Sequence, residues 1–168
     1  GRVSMANNGR YLVIVVPGSS GYVFDNLDGS LTQITDADYL TSDSVVFKDG
    51  YFVFSSTDGS VFFNSLLNQP LSFDALDFGT AEINPDKIVA LHVNHNELFV
   101  CGEETIEIFQ NVGGAGFQNV GGAGFPFQRI PGANIQKGVY GRATLVEFDN
   151  TFCFIGGGLN EGASIWKV

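Results

Sequence analysis

Residues 51–63 read YFVFSSTDGSVFF, and this stretch decides the fold. Its two aromatic-rich segments, residues 51–54 and 61–63, are separated by the polar turn sequence TDGS at residues 57–60. Aromatic and β-branched residues favour strands, and a short Asp-Gly turn between two such segments is typical of antiparallel neighbours. The stretch therefore predicts a β-hairpin.

The same hairpin pattern occurs at three further places, which are residues 11–24, 98–109 and 152–166. The equivalent first residues of the four units are taken as Tyr11, Tyr51, Glu97 and Thr151. Their successive spacings are 40, 46 and 54 residues. Units of several strands that repeat every roughly 40 to 50 residues are typical of β-propeller blades.

We therefore predict an all-β fold, a β-propeller of about four blade-like repeats. The predicted repeats are residues 2–34, 35–80, 81–134 and 135–168. A complete propeller closes its ring by pairing its two ends. Because the chain stops inside a predicted strand, we expect the repeats to be a fragment of a larger propeller protein; the alternative is a four-bladed ring closed by residues 2–6. Residues 70–78 fit neither a strand nor a helix period, and are predicted as a loop along the blade edge.

The chain is acidic, with 18 Asp and Glu against 8 Lys and Arg and a net charge of -10. Affinity for nucleic-acid phosphates comes mainly from Lys and Arg, so the composition argues against a tight nucleic-acid binder. Two interpretations of the charge stay open, which are solubility and a surface that repels DNA. No apolar run approaches the roughly 20 residues of a membrane-spanning helix, so no membrane partner is expected.

Cys101 and Cys153 are the only cysteines, and both lie in or beside the predicted inner strand of a blade. A free cysteine often packs as a small apolar residue. Two cysteines do not make a disulfide scaffold, so we predict an intracellular assembly environment. A disulfide between the two stays open.

Three groups of residues resemble metal or catalytic motifs without fulfilling them. His92 and His95, with Glu97 nearby, are three residues apart, which puts the two histidines on opposite faces of a strand. The segment containing Asp25, Asn26, Asp28 and Gly29 lacks the alternating ligands and closing Glu of a calcium loop, and predicts a hairpin turn.

The third group contains Ser19 and Ser20, in the sequence Gly18-Ser19-Ser20-Gly21, which lacks the G-x-S-x-G frame of a nucleophile elbow. Glu103 and Glu104 lie in a predicted turn, where carboxylates are usually solvated. We therefore predict no catalytic, metal-binding or cofactor-binding residues, no cofactor, and a protein that is not an enzyme.

A perfect tandem duplication lies in the third repeat. Residues 109–116 read FQNVGGAG, and residues 117–124 repeat them. Without one copy, the 54-residue spacing between Glu97 and Thr151 would be 46, the same as the spacing between Tyr51 and Glu97. The second copy is therefore predicted to be an insertion into a surface loop. A replication slip and a lengthened contact loop both stay open as its origin.

Several segments together resemble one family, the tail-nozzle or packaged-DNA stabilisation proteins of short-tailed bacteriophages. The segments are FDALDF at 73–78, AEINPDKIVAL at 81–91, GEETIEIF at 102–109, FPFQR at 125–129, GANIQKG at 132–138 and the opening GRVSMA at 1–6. They follow in order over most of the chain. The duplication departs from the family pattern.

The resemblance implies a structural virion protein of a phage tail, assembled in the host cytoplasm. It implies a ring-shaped nozzle, a hexamer of identical copies, that extends the DNA channel, helps to retain packaged DNA until ejection, and contacts the portal adaptor and other tail proteins. DNA is expected to pass without tight binding, and candidate acidic wall residues in predicted turns are Asp25, Asp28, Asp58, Glu103 and Glu104. The alternative is a propeller domain that binds or processes a host-surface glycan. A glycan site would need exposed aromatic residues, and Trp166 is the only Trp in the sequence.

Overall fold

The computed structural model describes residues 2–83, 86–113 and 124–168. Within these ranges the protein is all-β, with one 3-10 turn at Arg142–Thr144 and no α-helix. Its strands form four antiparallel sheets of four strands each. The predicted fold class, a β-propeller of four blades, is therefore confirmed.

The strands are numbered in chain order. Blade 1 contains β1 (Ser4–Asn7), β2 (Tyr11–Val15), β3 (Gly21–Asp25) and β4 (Leu31–Gln33). Blade 2 contains β5 (Ser42–Lys48), β6 (Tyr51–Ser56), β7 (Val61–Leu66) and β8 (Gln69–Thr80). Blade 3 contains β9 (Ile88–Asn94), β10 (Glu97–Gly102), β11 (Ile106–Asn111) and β12 (Phe127–Ile135). Blade 4 contains β13 (Gly138–Val139), β14 (Val146–Phe148), β15 (Thr151–Gly157) and β16 (Ser164–Lys167).

Blades 1 to 3 are simple meanders, in which each strand pairs with the next in the chain. In blade 4, β15 is central and pairs with β13, β14 and β16. The four predicted hairpins are β2–β3, β6–β7, β10–β11 and β15–β16. Tyr11, Tyr51, Glu97 and Thr151 are the first residues of β2, β6, β10 and β15.

The strands next to the propeller axis are not the ones that the sequence indicated. The strand β1 packs beside β5, and β5 packs beside β9. The predicted hairpins therefore begin at the second strand of each blade. Cys101 in β10 and Cys153 in β15 lie in second strands, directly beside the inner strands β9 and β14 with which these strands pair. The inner strand β1 escaped notice because Ser4–Asn7 carries polar residues and a weak apolar pattern.

Two further expectations are corrected by the strand pairing. Residues 70–78 were expected to form a loop, but they belong to β8, the outer strand of blade 2. The pairing of β8 with β7 shifts register twice, which breaks the strand alternation in the sequence. Residues 2–6 do not close the ring in the described structure, because β1 pairs with β2 of its own blade.

The core consists of three apolar clusters, one at each seam between consecutive blades. Alternation along the second strands explains them. In β6, Phe52 and Phe54 face blade 1, whereas Val53 faces blade 3. A strand that is buried on both faces needs an unbroken apolar run, and the sequence YFVF at residues 51–54 supplies one.

Strand β10 follows the same rule. Leu98 and Val100 face blade 2, and Phe99 and Cys101 face blade 4. Across this last seam Phe99 meets Phe152 edge to face, with ring centroids 5.0 Å apart. Edge-to-face contacts of this kind fix the rings as well as burying them.

The duplicated segment lies partly outside the described residues, which omit 114–123. Residues 109–111, at its start, form the end of β11, and Phe109 is buried against Phe62. The surface-loop prediction concerns the second copy, residues 117–124, of which 117–123 lie outside the described residues. It therefore stays a prediction.

Deletion of residues 117–124 is expected to leave the free energy of unfolding within about 2 kcal/mol of its original value, a modest change on the scale of point mutations. The two copies are identical, so β11 keeps its own Phe109, and the cost of loop closure changes slowly with length. Urea denaturation of the two chains measures the difference. A larger loss would mean that the second copy packs into the core.

Candidate functional site

An open cavity of about 270 Å³ lies where the inner strands of the four blades converge. Its lining residues are Met5, Ala6 and Asn7 from β1, Val45, Val46 and Phe47 from β5, His92 and Val93 from β9, and Glu147 from β14. All four blades contribute, so this axial cavity marks the propeller axis. His92 and Glu147 are its titratable residues.

His92 is held in the axial cavity by its aromatic neighbour. Its ring lies 4.6 Å from that of Phe152, and its Nε2 atom is buried with no hydrogen-bond partner among the described residues. Burial lowers the pKa of His92, and the negative charge of Glu147 opposes this in part. The neutral imidazole is therefore the favoured form at neutral pH.

The acid sensitivity of the fold just below pH 6.5 is expected to come from His92. Its folded-state pKa lies below the ordinary value of 6.5, so the unfolded chain takes up the proton more readily. The stability contributed by the neutral ring is complete above pH 6.5 and is lost as the pH falls below it. The substitution His92→Gln should therefore weaken the dependence of the free energy of unfolding on pH. Denaturant titrations at a series of pH values measure this dependence.

The matched control is His95→Gln, since His95 is exposed at a hairpin tip. This variant should keep the original pH dependence of the free energy of unfolding. The pKa values of Asp25 and Asp28 are lowered from 3.8, so protonation of these carboxylates affects stability only at a much lower pH than that of His92. An unchanged pH dependence of stability in His92→Gln would contradict the assignment of this dependence to His92.

The turns between inner and second strands in blades 2, 3 and 4 share one geometry. They are Asp49-Gly50, His95-Asn96 and Asp149-Asn150, and every residue in them has a positive φ, between 44° and 89°. Two-residue loops of this kind are type I′ turns, whose twist matches that of the flanking strands. We name these six residues the tip rim.

Polar contacts connect the tip rim from blade to blade. The buried Lys48 Nζ donates to Asn96 Oδ1 at 2.7 Å and forms an ion pair with Asp49. The Asn150 amide lies 3.0 Å from His95 Nε2. These contacts place the three tips at the same end of the propeller and join blade 2 to blade 3, and blade 3 to blade 4.

The tip rim was not predicted from the sequence. A usable signal was present, because Asp49-Gly50, His95-Asn96 and Asp149-Asn150 each directly precede a predicted hairpin strand. Asp-Gly is a strong marker of a two-residue turn, whereas His-Asn and Asp-Asn are weaker ones. Glu147 was also missed, since its place beside the axis depends on how the blades converge.

The candidate wall carboxylates do not come together. In a meander, the turn between the second and third strands lies at the opposite end from the turns on either side of it. Asp58, Glu103 and Glu104 follow second strands, so they lie away from the tip rim. Asp25 and Asp28 follow a third strand, so they lie at the same end as the tip rim. None of these five described residues lines the axial cavity.

Asp25 and Asp28 stabilise the turn after β3, as predicted for a hairpin turn. Asp25 accepts hydrogen bonds from the Leu27 amide at 2.9 Å and from the Arg10 guanidinium at 2.9 Å, and Arg10 lowers the pKa of Asp25. Asp28 accepts from the Ser30 amide at 2.8 Å, and its hydrogen bonding to Ser30 lowers its pKa.

Glu104 contributes its backbone to a turn that Asp86 organises. The Asp86 carboxylate is buried and accepts hydrogen bonds from the amides of Glu104 at 2.6 Å and Thr105 at 3.0 Å. Glu103 is exposed in the same turn. These carboxylates therefore have structural roles or face solvent.

The remaining predicted candidates lie apart from one another. Ser20 Oγ accepts from Gln33 in the turn after β2. Cys101 and Cys153 are free thiols, and burial raises the pKa of Cys101. His92 lies in β9 and His95 at the tip rim. Among the described ranges, no group of three His, Cys, Asp or Glu residues is placed to hold a metal ion.

The Trp166 side chain is half-buried and contacts neighbouring residues of blade 4 and Lys137. Its Nε1 donates to the Gly156 carbonyl at 3.1 Å, and Lys137 Nζ lies 4.6 Å from the ring centroid. A sugar-binding platform needs a free aromatic face. No observation in the described part of the chain favours the glycan alternative.

The described residues contain no helix that is long and apolar enough to cross a membrane. A family model described as phage stabilisation, bacteriophage P22 Gp10, β-propeller, matches residues 1–168, the whole chain. No curated protein sequence matches.

Solved structures with a similar fold include two designed proteins and one bacterial protein. The computationally designed Ika4 protein has 16% identity and a TM-score of 0.54, over 100% of this chain and 92% of that one. The designed Ika8 protein has 18% identity and a TM-score of 0.55, over 100% and 46%. BamB from Moraxella catarrhalis has 10% identity and a TM-score of 0.52, over 98% and 45%. This chain thus spans less than half the length of Ika8 and BamB.

Proposed function

This chain belongs to the phage stabilisation family of bacteriophage P22 Gp10, a family of β-propellers, and we propose that it is a structural protein of a phage tail. In this proposal it forms part of a ring-shaped nozzle that extends the DNA channel and helps to retain packaged DNA until ejection. The observation that carries the proposal is the family match over the whole chain, residues 1–168.

The architecture supports a scaffold role. Three seams of interlocked aromatic side chains hold the blades together, and the Lys48–Asn96 contact adds a polar link at the tip rim. A rigid frame of this kind suits a conduit wall, and we propose that the protein is not an enzyme.

The proposed partners are further copies in a ring of six, the portal adaptor and other tail proteins, in the virion. Two tests follow from this. Mass spectrometry of purified virions should find the protein, and labelling should place it at the tail end. Particles assembled without it should package DNA and then lose it. Absence from virions, or particles that retain their DNA without it, would refute the proposal.

The isolated protein is expected to show no measurable binding to duplex DNA near physiological salt. The net charge of -10 repels phosphate, and carboxylates are present at both ends of the propeller and in the axial cavity. A gel-shift titration measures this. Binding at micromolar concentration or tighter that weakens steeply with salt would reveal a basic surface and contradict the repulsive wall.

A further inference from the structure

A second open cavity, of about 310 Å³, lies between blades 2, 3 and 4. Its charged lining residues are Asp43 in β5, Lys87 directly before β9, Glu103 in the turn after β10, and Arg142 in the 3-10 turn of blade 4. Strands β5 and β9 end at the tip rim, so this cavity at their first residues lies at the opposite end of the propeller. Blade 1 contributes no lining residue.

Two β-bulges shape this cavity, which we name the bulge pocket. In β5 the register with β6 shifts at Asp43, which has no residue directly opposite. In β9 the register with β10 shifts at Val89 in the same way. Both extra residues line the pocket, and each is the second residue of its inner strand. A bulge re-aims a side chain that regular pairing would place on a sheet face, and bulges are frequent beside functional sites.

Hydrogen bonds fix the backbone around the bulge pocket. The Lys87 carbonyl accepts a hydrogen bond from the Glu103 amide at 3.1 Å, and the Ile88 amide donates to the Gly59 carbonyl of blade 2 at 3.1 Å. In blade 4, Arg142 begins the 3-10 turn, and its carbonyl accepts from the amide of the residue after that turn at 3.3 Å. The charged side chains are therefore mounted on a preformed frame.

The four charged side chains of the bulge pocket form no ion pair with one another or with any other described residue. Elsewhere in the chain pairing is the rule, since five of the eight Lys and Arg residues form ion pairs with Asp or Glu. The Nη1 atom of Arg142 is buried and has no hydrogen-bond partner among the described residues. A buried donor without an acceptor is costly, so we expect a bound group to supply one.

We propose that the bulge pocket binds a ligand that carries both an oxyanion and an ammonium group, such as an amino acid or an aminoalkyl phosphate. The oxyanion accepts hydrogen bonds from Arg142 and Lys87, because a guanidinium presents a planar fork of donors that matches a carboxylate or a phosphate. The ammonium group donates to the carboxylates of Asp43 and Glu103. A ligand of this class compensates all four charges of the pocket at once.

Ligands with a single kind of charge leave part of the bulge pocket uncompensated. A simple anion would meet Lys87 and Arg142, but the two carboxylates would repel it, and a simple amine would be repelled by the two cations. Duplex DNA carries no cationic group, so the pocket does not alter the expected absence of tight DNA binding. The cavity volume of about 310 Å³ is at the lower end for ligand sites, which suits a compact ligand.

Titration of the full chain with two-charge probes tests the proposal. The probes β-alanine, γ-aminobutyrate and ε-aminocaproate hold a carboxylate and an ammonium group at increasing separation, and O-phosphoethanolamine replaces the carboxylate with a phosphate. Amide chemical shifts of residues 87–89, 103 and 142 report binding. At least one probe should bind about tenfold tighter than both propionate and ethylamine, which carry one charge each, because each charged group of the probe gains its own hydrogen bonds.

Two variants separate the two halves of the site. In Arg142→Gln the advantage of the best probe over ethylamine should shrink, because its oxyanion loses a donor. In Asp43→Asn the advantage over propionate should shrink, because its ammonium group loses a charged acceptor. Lys87→Gln and Glu103→Gln, both at exposed positions, repeat the comparison with the other member of each pair. The matched control is Arg10→Gln, which removes a cation that pairs with Asp25 at the opposite end of the propeller and should keep every affinity.

Circular dichroism checks that the variants are folded. The proposal would be overturned by the absence of saturable binding, by equal affinity for the best two-charge probe and for propionate or ethylamine, or by shifts confined to other parts of the chain. Unchanged affinities in the folded pocket variants would overturn it as well. The inference goes beyond the proposed function, and each of these results would leave the proposed place in a phage tail untouched, because that proposal rests on the family match.

Discussion

Replacement of Phe62 by alanine is expected to destabilise the protein by about 3–5 kcal/mol. Phe62 is fully buried at the seam between blades 2 and 3. Its ring meets Phe109 edge to face with centroids 4.9 Å apart, and meets Phe125 with centroids 5.5 Å apart. The substitution removes these contacts and leaves a cavity between two sheets that cannot readily close on it.

The effect is large because a typical domain is stable by only about 5–15 kcal/mol. Denaturant titration should show a lower midpoint with an unchanged m-value. Leu76→Ala, at an exposed position of β8, is the control and should stay within about 0.5 kcal/mol. A loss below about 1 kcal/mol for Phe62→Ala would mean that the seam is loosely packed and collapses into the space, contrary to the usual cost of an emptied core.

Replacement of Gly138 by alanine is expected to loosen blade 4. A Cβ atom at this position would overlap the backbone of Glu103 and Glu104 in the turn after β10. Backbone cannot rotate away as a side chain can, so β13 would have to move, and overpacking of this kind costs about 1–3 kcal/mol or more. Gly138 also pairs with Gly157 of β15, so the shift would pass to the centre of the blade.

Gly162→Ala is the matched control, because nothing lies within 4 Å of the added atom. Denaturation should separate the two variants, and hydrogen exchange should locate the change. Amides of residues 151–157 are expected to exchange faster in Gly138→Ala than in the control. Equal protection in both variants would show that the blade 3–blade 4 seam adjusts without cost.

The sequence predicted the strands that are buried on both faces. Strand β6 needs apolar residues at consecutive positions, since Phe52 and Val53 face different seams, and this requirement leaves a visible run. Strand β8 was missed because an outer strand is buried on one side at most and its register shifts break the alternation. The inner strand β1 was missed because it is short and half polar.

The candidate site was much less predictable than the fold. His92 and Glu147 are distant in the chain and converge only because four blades turn about one axis. Glu147 lies in a three-residue strand that gives no periodic signal. The tip rim depends on positive φ values at His95 and Asp149, residue types that also occur in many other conformations.

The arrangement of one apolar cluster per seam makes the stability of each blade depend on its neighbours. Among the described residues, blades 2 and 3 each contribute to two apolar clusters, whereas blades 1 and 4 each contribute to one. In such a linear array, stability is a sum of blade terms and nearest-neighbour terms, as in other repeat proteins. Within this chain, local opening is therefore expected to require less free energy in blades 1 and 4 than in blades 2 and 3, whose opening breaks two clusters at once.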